Sequence, residues 1–212
     1  MKTFTNGQVP QTPNMYFIYG AGGTGKTSLL KQFKGRKFIF SYDLSTNPLL
    51  DDKSVDGVIF DQSDGPRIQQ LTEQLLAKAI SSGQYDVICL DNMSSLQNLV
   101  LENIDSKAKD NRQNYQKLQL WFRELGMYLR TCGLTVYATA HEIDPNKDGV
   151  KYIPDMNDKT FNAFTSMFDL VGRIYKQGGE RYIDLDPEKG NGAKNRIDDR
   201  TLVKASELIT ED

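Results

Sequence analysis

Cysteine is scarce in this sequence of 212 residues, which contains only Cys89 and Cys132. Two cysteines are too few for the disulfide framework of a small secreted protein. Their positions, within or just before apolar runs, predict buried reduced thiols. No apolar run approaches the ~18 residues that a membrane-spanning helix needs, and the segment before Met15 lacks the apolar stretch of a signal peptide. We therefore expect a protein of the cytoplasm.

Positive charge is not in excess either. Lysine and arginine together number 26, and aspartate and glutamate 28, so the net charge is -2. This balance argues against a protein that binds nucleic acid through overall charge, although it leaves room for a local basic surface. The length suffices for one domain with a core, and we expect a flexible leader over residues 1–14 and a single domain over residues 15–212.

The most informative stretch is Gly20–Thr27, GAGGTGKT, which matches the phosphate-loop pattern G-x-x-x-x-G-K-[ST] at every fixed position. Glycines let the backbone wrap with its N–H groups pointing at an anion, at the start of a helix. Lys26 then reaches the β- and γ-phosphates, and the Thr27 hydroxyl ligates Mg²⁺. The residues predicted to bind the triphosphate are Gly20, Ala21, Gly22, Gly23, Thr24, Gly25, Lys26, Thr27 and Ser28.

Strand and helix patterns alternate through residue 140, which predicts an α/β fold with a doubly wound, mostly parallel sheet flanked by helices. Apolar runs predict strands at Tyr16–Tyr19, Lys37–Tyr42, Gly57–Phe60, Val87–Leu90 and Leu134–Ala140. Helical spacing predicts helices at Thr24–Phe33, Arg67–Ser82, Ser94–Leu101, Tyr115–Arg130 and Phe161–Met167. Near the C-terminus, Gly178-Gly179 separates the strand-like runs Leu170–Gln177 and Glu180–Leu185, which predicts a hairpin.

Asp91 ends the apolar strand Val87–Leu90, at the edge of the sheet where ligands bind in such folds. A carboxylate there can hold Mg²⁺ through its water shell, opposite Thr27. Alternatively, Asp91 caps the following helix, for which Ser94 and Ser95 are also candidate caps. Many ATPases place Glu directly after this Asp to activate water, whereas this sequence has Asn92, which cannot act as a base. The base must therefore come from elsewhere or be absent.

Two carboxylates are candidates for the residue that orients the attacking water. Asp43 follows the second strand, although an ordinary turn aspartate explains it nearly as well, and Glu142 follows the fifth strand. His141, the only histidine, ends the strand that we expect beside the first strand. From there its side chain could hydrogen-bond to the γ-phosphate, or local backbone groups could satisfy it.

Basic residues in two other regions could also contact phosphate groups. Lys194 and Arg196, in a polar segment after the hairpin, could reach a phosphate of the same chain or, as an arginine finger, of a neighbouring subunit. A solvated basic turn explains them nearly as well. Five further basic residues could contact a nucleic-acid backbone, although each one singly is better explained as a solvated charge. These residues are Lys107, Lys109, Arg112, Lys147 and Lys151.

Together the motifs resemble the RecA/RadA-type branch of P-loop ATPases. In particular they resemble small phage-encoded AAA-domain nucleotide-binding proteins, some of which are single-strand-annealing recombinases. The resemblance covers roughly residues 15–205. It is carried by GAGGTGKT at Gly20–Thr27, YDVICLDN at Tyr85–Asn92, LTVYATAHE at Leu134–Glu142 and AKNR at Ala193–Arg196. The first motif is shared by many families, whereas the order and spacing of all four are more specific.

The resemblance implies a RecA-like fold and Mg²⁺-dependent ATP hydrolysis at sites between the subunits of a homo-oligomeric ring or filament. It implies that Lys194 and Arg196 act in trans, and that the segments Asn103–Asn114 and Asp144–Thr160 bind single-stranded DNA. It further implies a role in phage recombination or replication in the cytoplasm of a bacterial host, with a single-strand-binding protein as a further partner.

Two other functions stay open from the residues alone. Asn92 in place of Glu favours a nucleotide-gated binding module, such as a helicase loader or a regulatory partner with little turnover of its own. A small-molecule kinase would need an Arg-rich lid and an acceptor pocket, and the basic residues after Gly190 are a thin basis for one.

Overall fold

The computed structural model describes residues 3–104, 111–143 and 152–209. Within these ranges the chain forms ten strands and four α-helices. The strands are β1 (Met15–Gly20), β2 (Lys37–Ser41), β3 (Val55–Ile59), β4 (Val87–Asp91), β5 (Thr135–Ile143), β6 (Ile153–Pro154), β7 (Leu170–Gln177), β8 (Glu180–Asp184), β9 (Lys194–Asn195) and β10 (Leu202–Lys204). The α-helices are α1 (Ile68–Ser81), α2 (Met93–Asn103), α3 (Asn111–Thr131) and α4 (Asp158–Thr165). Short 3₁₀ helices lie at Thr27–Gln32, Asn47–Leu49, Gln62–Arg67, Pro187–Lys189 and Ala205–Glu207.

The centre of the sheet is parallel, with neighbouring strands in the order β7-β1-β5-β4-β2-β3. Beyond β7, strands β8 and β10 continue the sheet in antiparallel pairing. The β7–β8 hairpin turns at Gly178 and Gly179, whose positive φ angles favour glycine. The predicted α/β fold, with its mostly parallel sheet and C-terminal hairpin, is therefore confirmed, and β5 lies beside β1 as expected.

The sheet is buried on both faces, which explains why its central strands are continuous apolar runs. One face packs against all four α-helices, where the Phe17 ring makes edge contacts with three aromatic rings that follow it in the chain. These rings belong to Phe161, Phe164 and Phe168. The other face, which includes Ile18 and Tyr137, is covered by the 3₁₀ helix Thr27–Gln32 and the C-terminal segment. The helices that flank the sheet are therefore unevenly distributed.

The helix after the phosphate loop is shorter than predicted. Thr24–Phe33 was expected to be helical up to Gly35, but only Thr27–Gln32 is helical, with 3₁₀ geometry. Phe33 is extended, and its ring packs against those of Tyr16 and Tyr137 at centroid distances of 5.3 and 5.2 Å. Packing of this aromatic side chain against the sheet ends the helix before the glycine is reached.

Helix α2 is capped by Asn92, and not by Ser94, Ser95 or Asp91. The Asn92 side-chain oxygen accepts a hydrogen bond from the Ser95 backbone N–H at 2.8 Å. The Ser94 hydroxyl instead accepts from the backbone N–H of His141 at 3.0 Å. The capping residue therefore lies directly after the strand, which frees the Asp91 carboxylate for other contacts.

Strand β5 continues past the predicted end at Ala140. Glu142 and Ile143 pair with Pro154 and Ile153 of β6, so part of the polar segment predicted as a loop returns to the sheet. Helix α4 then begins at Asp158, earlier than predicted. His141 consequently lies within a paired strand, in register with Gly20 of the phosphate loop.

A partly buried ion pair between Arg130 of α3 and Asp169 lies at the amino ends of β1 and β7. Both guanidinium nitrogens Nη1 and Nη2 of Arg130 donate to the Asp169 carboxylate, at 2.6 and 3.1 Å. The same carboxylate accepts from the backbone N–H of Met15 at 2.9 Å. This network connects the end of α3 to the start of the phosphate-loop strand and stabilises the position of β1.

The remaining sequence-based expectations concern the termini and the cysteines. Cys89 and Cys132 are free thiols, and burial raises the pKa of both. Residues 3–14 form neither helix nor strand, and the flexibility of this leader stays a prediction. Among the described residues, no helix combines the length and apolar character needed to cross a bilayer.

Candidate functional site

A cavity of about 570 Å³ lies at the carboxyl ends of the parallel strands. Four separately predicted segments meet there: the phosphate loop, Asp43 after β2, Asp91 at the end of β4 and His141 in β5. Arg181, from the hairpin, also lines it. The remaining lining residues follow Asp43 in the chain and are Leu44, Ser45, Asn47 and Pro48. The structure therefore brings most of the predicted site residues together at one edge of the sheet.

The phosphate loop folds around its own lysine. The Lys26 ammonium donates to the carbonyl oxygens of Gly20 and Ala21, at 2.8 and 3.0 Å. Gly23 and Gly25 have φ angles of +72° and +98°, which only glycine adopts readily. These contacts close the loop into a cradle whose lining includes Gly22, Gly23, Gly25, Lys26, Thr27 and Ser28.

The side chains of Thr24 and Tyr137 stabilise the conformation of this loop through hydrogen bonds to its backbone carbonyls. The Thr24 hydroxyl donates to the Ala21 carbonyl at 2.8 Å, and the Tyr137 hydroxyl donates to the Lys26 carbonyl at 2.7 Å. Burial lowers the pKa of Lys26, while the carboxylates of Asp91, Asp43 and Glu142 act in the opposite direction. The Lys26 residue is only 7% exposed, and a charge in such a buried position interacts with a phosphate more strongly than one in bulk water.

Thr27 and Asp91, the predicted metal pair, are in direct contact. The Thr27 hydroxyl donates to Asp91 Oδ2 at 2.6 Å, and the Thr139 hydroxyl donates to Asp91 Oδ1. Asp91 is 2% exposed, and burial raises the pKa of its carboxyl group, against the effect of the two hydroxyl hydrogen bonds. This buried pair of hard oxygen ligands is the chemistry that Mg²⁺ prefers.

Water and substrate phosphates would supply the remaining ligands of such an ion. Within the described ranges, no group of three or more Asp, Glu, His or Cys residues is arranged to hold a metal ion. Mg²⁺ commonly binds through one or two protein oxygens and completes its shell with water and substrate phosphates. Thr27 and Asp91 therefore fit Mg²⁺ bound together with a nucleotide better than a permanently bound metal.

Asn92 connects two candidate catalytic residues. Because its Oδ1 accepts from the Ser95 N–H, its Nδ2 group must be the donor on the other side. That group donates to Asp43 Oδ2 at 2.5 Å and contacts His141 Nε2 at 2.8 Å. In this arrangement Nε2 of His141 is the acceptor of the amide hydrogen bond. Asn92 is 1% exposed, and its buried amide fixes the orientation of both neighbours.

The two candidates for orienting water occupy different environments. Asp43 lines the cavity, and its Oδ1 also accepts from the Ser45 backbone N–H at 3.1 Å. Glu142 lies outside the cavity lining, and both its carboxylate oxygens accept from Arg173, at 2.8 and 3.4 Å. The Arg173 guanidinium also stacks over the Tyr152 ring at 3.3 Å. Asp43 therefore faces the cavity, whereas Glu142 is part of an ion pair beside it.

Lys194 and Arg196 do not reach the phosphate loop of their own chain. Lys194 pairs with Val171 near the amino end of β7, at the opposite edge of the sheet. Its ammonium donates to the Thr165 carbonyl at 2.6 Å, and burial, with the nearby Arg196, lowers the pKa of Lys194 to about 8. The Arg196 side chain is exposed. Their predicted action on a neighbouring subunit stays a prediction.

Several contacts of the site escaped prediction from the sequence. Thr139 is a hydroxyl within an apolar strand, which was the available signal for its bond to Asp91. Asn92 was noted only as the absence of a base, and its bridging role depends on contacts across the sheet. Arg181 gave no local signal, because the hairpin alone does not reveal which residue faces the phosphate loop.

A second cavity, of about 590 Å³, lies where the chain enters α3 and α4. Its lining includes Arg112 and Lys159, which belong to the two segments predicted to bind DNA, and Tyr115, which directly follows the first of them. Four of the predicted basic residues lie outside the described residues, namely Lys107, Lys109, Lys147 and Lys151. Arg112 is therefore the member of that set whose position is known.

The comparison with protein families agrees with the phosphate-loop assignment. A family model described as an AAA domain matches residues 12–197, from just before β1 to just after Arg196. One similar solved structure is a KaiC-like protein from the hyperthermophilic archaeon Pyrococcus horikoshii. The two share 13% identity over 82% of this chain and 78% of that chain, with a TM-score of 0.45, which is too distant to indicate an activity. No curated protein matches significantly.

Proposed function

This chain belongs to the AAA-domain family, and on that premise we propose that it binds ATP together with Mg²⁺ and hydrolyses the bond between the β- and γ-phosphates. The observation that carries the proposal is the 2.6 Å contact between the Thr27 hydroxyl and the Asp91 carboxylate, directly beside the loop that bears Lys26. A phosphate loop and a carboxylate that holds the metal ion are two parts that P-loop hydrolases share.

Each side chain has a distinct role in the proposed reaction. Lys26 stabilises negative charge on the transferred phosphoryl group. Thr27 and Asp91 would hold Mg²⁺, which neutralises phosphate charge when it is bound. Asp43 orients the attacking water and accepts its proton, while Asn92 keeps the Asp43 carboxylate facing the cavity. His141 is held by the same amide and contacts the γ-phosphate.

Replacement of the lysine tests hydrolysis directly. We expect Lys26→Ala to lower the rate of steady-state phosphate release by a factor of about 100 or more, because a positioned charge in the cavity is lost. Lys78→Ala, which removes an exposed lysine of α1, is the matched control. Circular dichroism would verify that both variants fold. Unchanged turnover in a folded Lys26→Ala protein would contradict the proposal.

A nucleotide-gated binding module is the second candidate function. It is favoured by Asn92, since a neutral amide that cannot act as a base occupies the position directly after Asp91. In this case ATP binding would switch an interaction with a partner while turnover stays low. Phosphate release measured with and without single-stranded DNA separates the two functions, because stimulated release supports an ATPase and its absence in all conditions supports the module.

Single-stranded DNA is the partner that we propose for the active form, in a homo-oligomer used for recombination or replication. Support comes from the resemblance to phage annealing recombinases. It also comes from the cavity that contains Arg112, Tyr115 and Lys159, since basic and aromatic side chains together suit a nucleic-acid strand. Tyr115 is 46% exposed, which leaves its ring accessible to a base.

Fluorescence anisotropy with a labelled oligothymidine tests this partner. We expect binding that weakens with salt, and a loss of about ten-fold or more in the variant Arg112→Gln/Lys159→Gln relative to Lys78→Gln. Light scattering with a non-hydrolysable ATP analogue would show whether nucleotide and DNA drive assembly. A monomer without DNA affinity in all conditions would refute the DNA proposal and leave the nucleotide site unaffected.

A further inference from the structure

Arg181, in the second strand of the β7–β8 hairpin, lies against the phosphate loop. A Cβ atom built on Gly25 would be 3.2 Å from Arg181 Nε and 3.8 Å from its Cζ. The guanidinium therefore lies beside the loop residue that precedes Lys26. Arg181 also lines the main cavity and a neighbouring cavity of about 330 Å³. It is thus placed at the boundary between the two.

The register of the sheet explains how the same chain delivers this side chain. Strand β7 runs parallel to β1, with Arg173 opposite Tyr19. It continues four residues further, to Gln177, before the hairpin turns. At about 3.3 Å per residue, β7 extends roughly 13 Å past the level of Tyr19. Arg181 is thereby carried over the phosphate loop without any contribution from a second subunit.

Arg181 is an exposed residue, and its guanidinium has no protein acceptor in the part of the chain that the structure describes. Across residues 3–104, 111–143 and 152–209, no hydrogen bond or ion pair to its side chain is present. Four other arginines pair with carboxylates: Arg36, Arg130, Arg173 and Arg200. A planar fork of N–H donors beside a phosphate loop matches the geometry of phosphate oxygens.

We propose that Arg181 binds the α- and β-phosphates of the nucleotide held by its own chain, an inference that rests on the proposed ATP binding. The assignment to these phosphates follows from the two cavities. Asp43, Asp91 and His141 line only the larger one, which marks the end where the γ-phosphate reacts. Arg181 lies at the boundary with the smaller cavity, as one of the residues, with Gly25 and Ser28, that line both cavities.

The position of Arg181 predicts how its substitution changes the affinities for ADP and ATP. Because ADP and ATP share the α- and β-phosphates, Arg181→Gln weakens both to a similar extent, by about ten-fold for the loss of a charge-assisted hydrogen bond. The defect appears in KM and not in kcat, since the contact is the same in the ground state and the transition state. Arg181→Lys, which keeps the charge but loses the fork, falls between wild type and Arg181→Gln. The loss of affinity is independent of protein concentration, because Arg181 contacts the nucleotide of its own chain.

Isothermal titration calorimetry with Mg²⁺ and either ADP or a non-hydrolysable ATP analogue tests the inference, alongside steady-state phosphate release. Arg123→Gln, an exposed arginine of α3, is the control and leaves both affinities unchanged. Unchanged affinity of Arg181→Gln would overturn the inference while the proposed function stands. A loss confined to the ATP analogue or to kcat would overturn it as well, because it would place Arg181 at the γ-phosphate. Wild-type protein that binds neither nucleotide would refute the proposed function and this inference together.

Discussion

The paired variants Asp43→Asn and Glu142→Gln separate the two carboxylates that the sequence left as alternatives. Asp43 lines the cavity and is held by Asn92 and Ser45. Glu142 is buried against Arg173 and does not line the cavity. Both substitutions replace a carboxylate by an amide of the same shape, so they remove charge and proton affinity with little change in packing.

We expect Asp43→Asn to lower activity and Glu142→Gln to lower stability. Loss of a residue that orients water and accepts its proton lowers kcat by a factor of about 10²–10⁴, and we expect this for Asp43→Asn. Glu142 and Arg173 have side chains that are 4% and 16% exposed. Breaking a fully buried pair costs about 3–5 kcal/mol. The exposed part of Arg173 and the retained amide hydrogen bond lower our expectation for Glu142→Gln to about 2 kcal/mol. In a domain of this size that corresponds to a fall in Tm of roughly 4–8 °C.

The assays are steady-state phosphate release and thermal unfolding followed by circular dichroism. Asp43→Asn should lose turnover with an unchanged Tm, and Glu142→Gln should lose Tm with turnover within about three-fold of wild type at a temperature where it is folded. Equilibrium binding of an ATP analogue should be nearly the same in both variants. The reasoning is refuted if Glu142→Gln is the inactive variant and Asp43→Asn keeps its turnover.

Three further predictions concern the metal, a titrating lysine and the ion pair at the amino ends of the strands. Asp91→Asn should lower nucleotide affinity about ten-fold or more in Mg²⁺, while affinity in EDTA stays the same, as calorimetry would show. Lys194 has a pKa of about 8 when folded and 10.5 when unfolded, so its buried charge disfavours folding below pH 8. The free energy of unfolding of wild type, relative to Lys194→Met, should therefore rise between pH 8 and 10.5 in urea titrations, and a flat difference would contradict this. Arg130→Gln should cost about 2–3 kcal/mol in the same assay, against no loss for Arg123→Gln, because Asp169 loses both of its guanidinium contacts.

Features that depend on neighbouring residues were predicted correctly from the sequence, whereas features that depend on contacts between distant segments were not. The phosphate loop is a contiguous motif, and β1 and β4 contain continuous apolar runs, so local patterns sufficed to locate them. The helix after the loop was predicted too long, because packing of Phe33 against Tyr16 and Tyr137 ends it. Strand β5 was predicted too short, because its last residues pair with a segment whose own sequence is polar.

Local chemistry therefore sufficed to predict a triphosphate site, with Lys26, Thr27 and Asp91 as its central residues, since each prediction depends on a few neighbouring positions. The choice between Asp43 and Glu142, the bridging role of Asn92 and the approach of Arg181 came from the folded chain alone. Each of these depends on which residues of distant strands face one another. That register is set by burial on both faces of the sheet, and no short stretch of the sequence carries it.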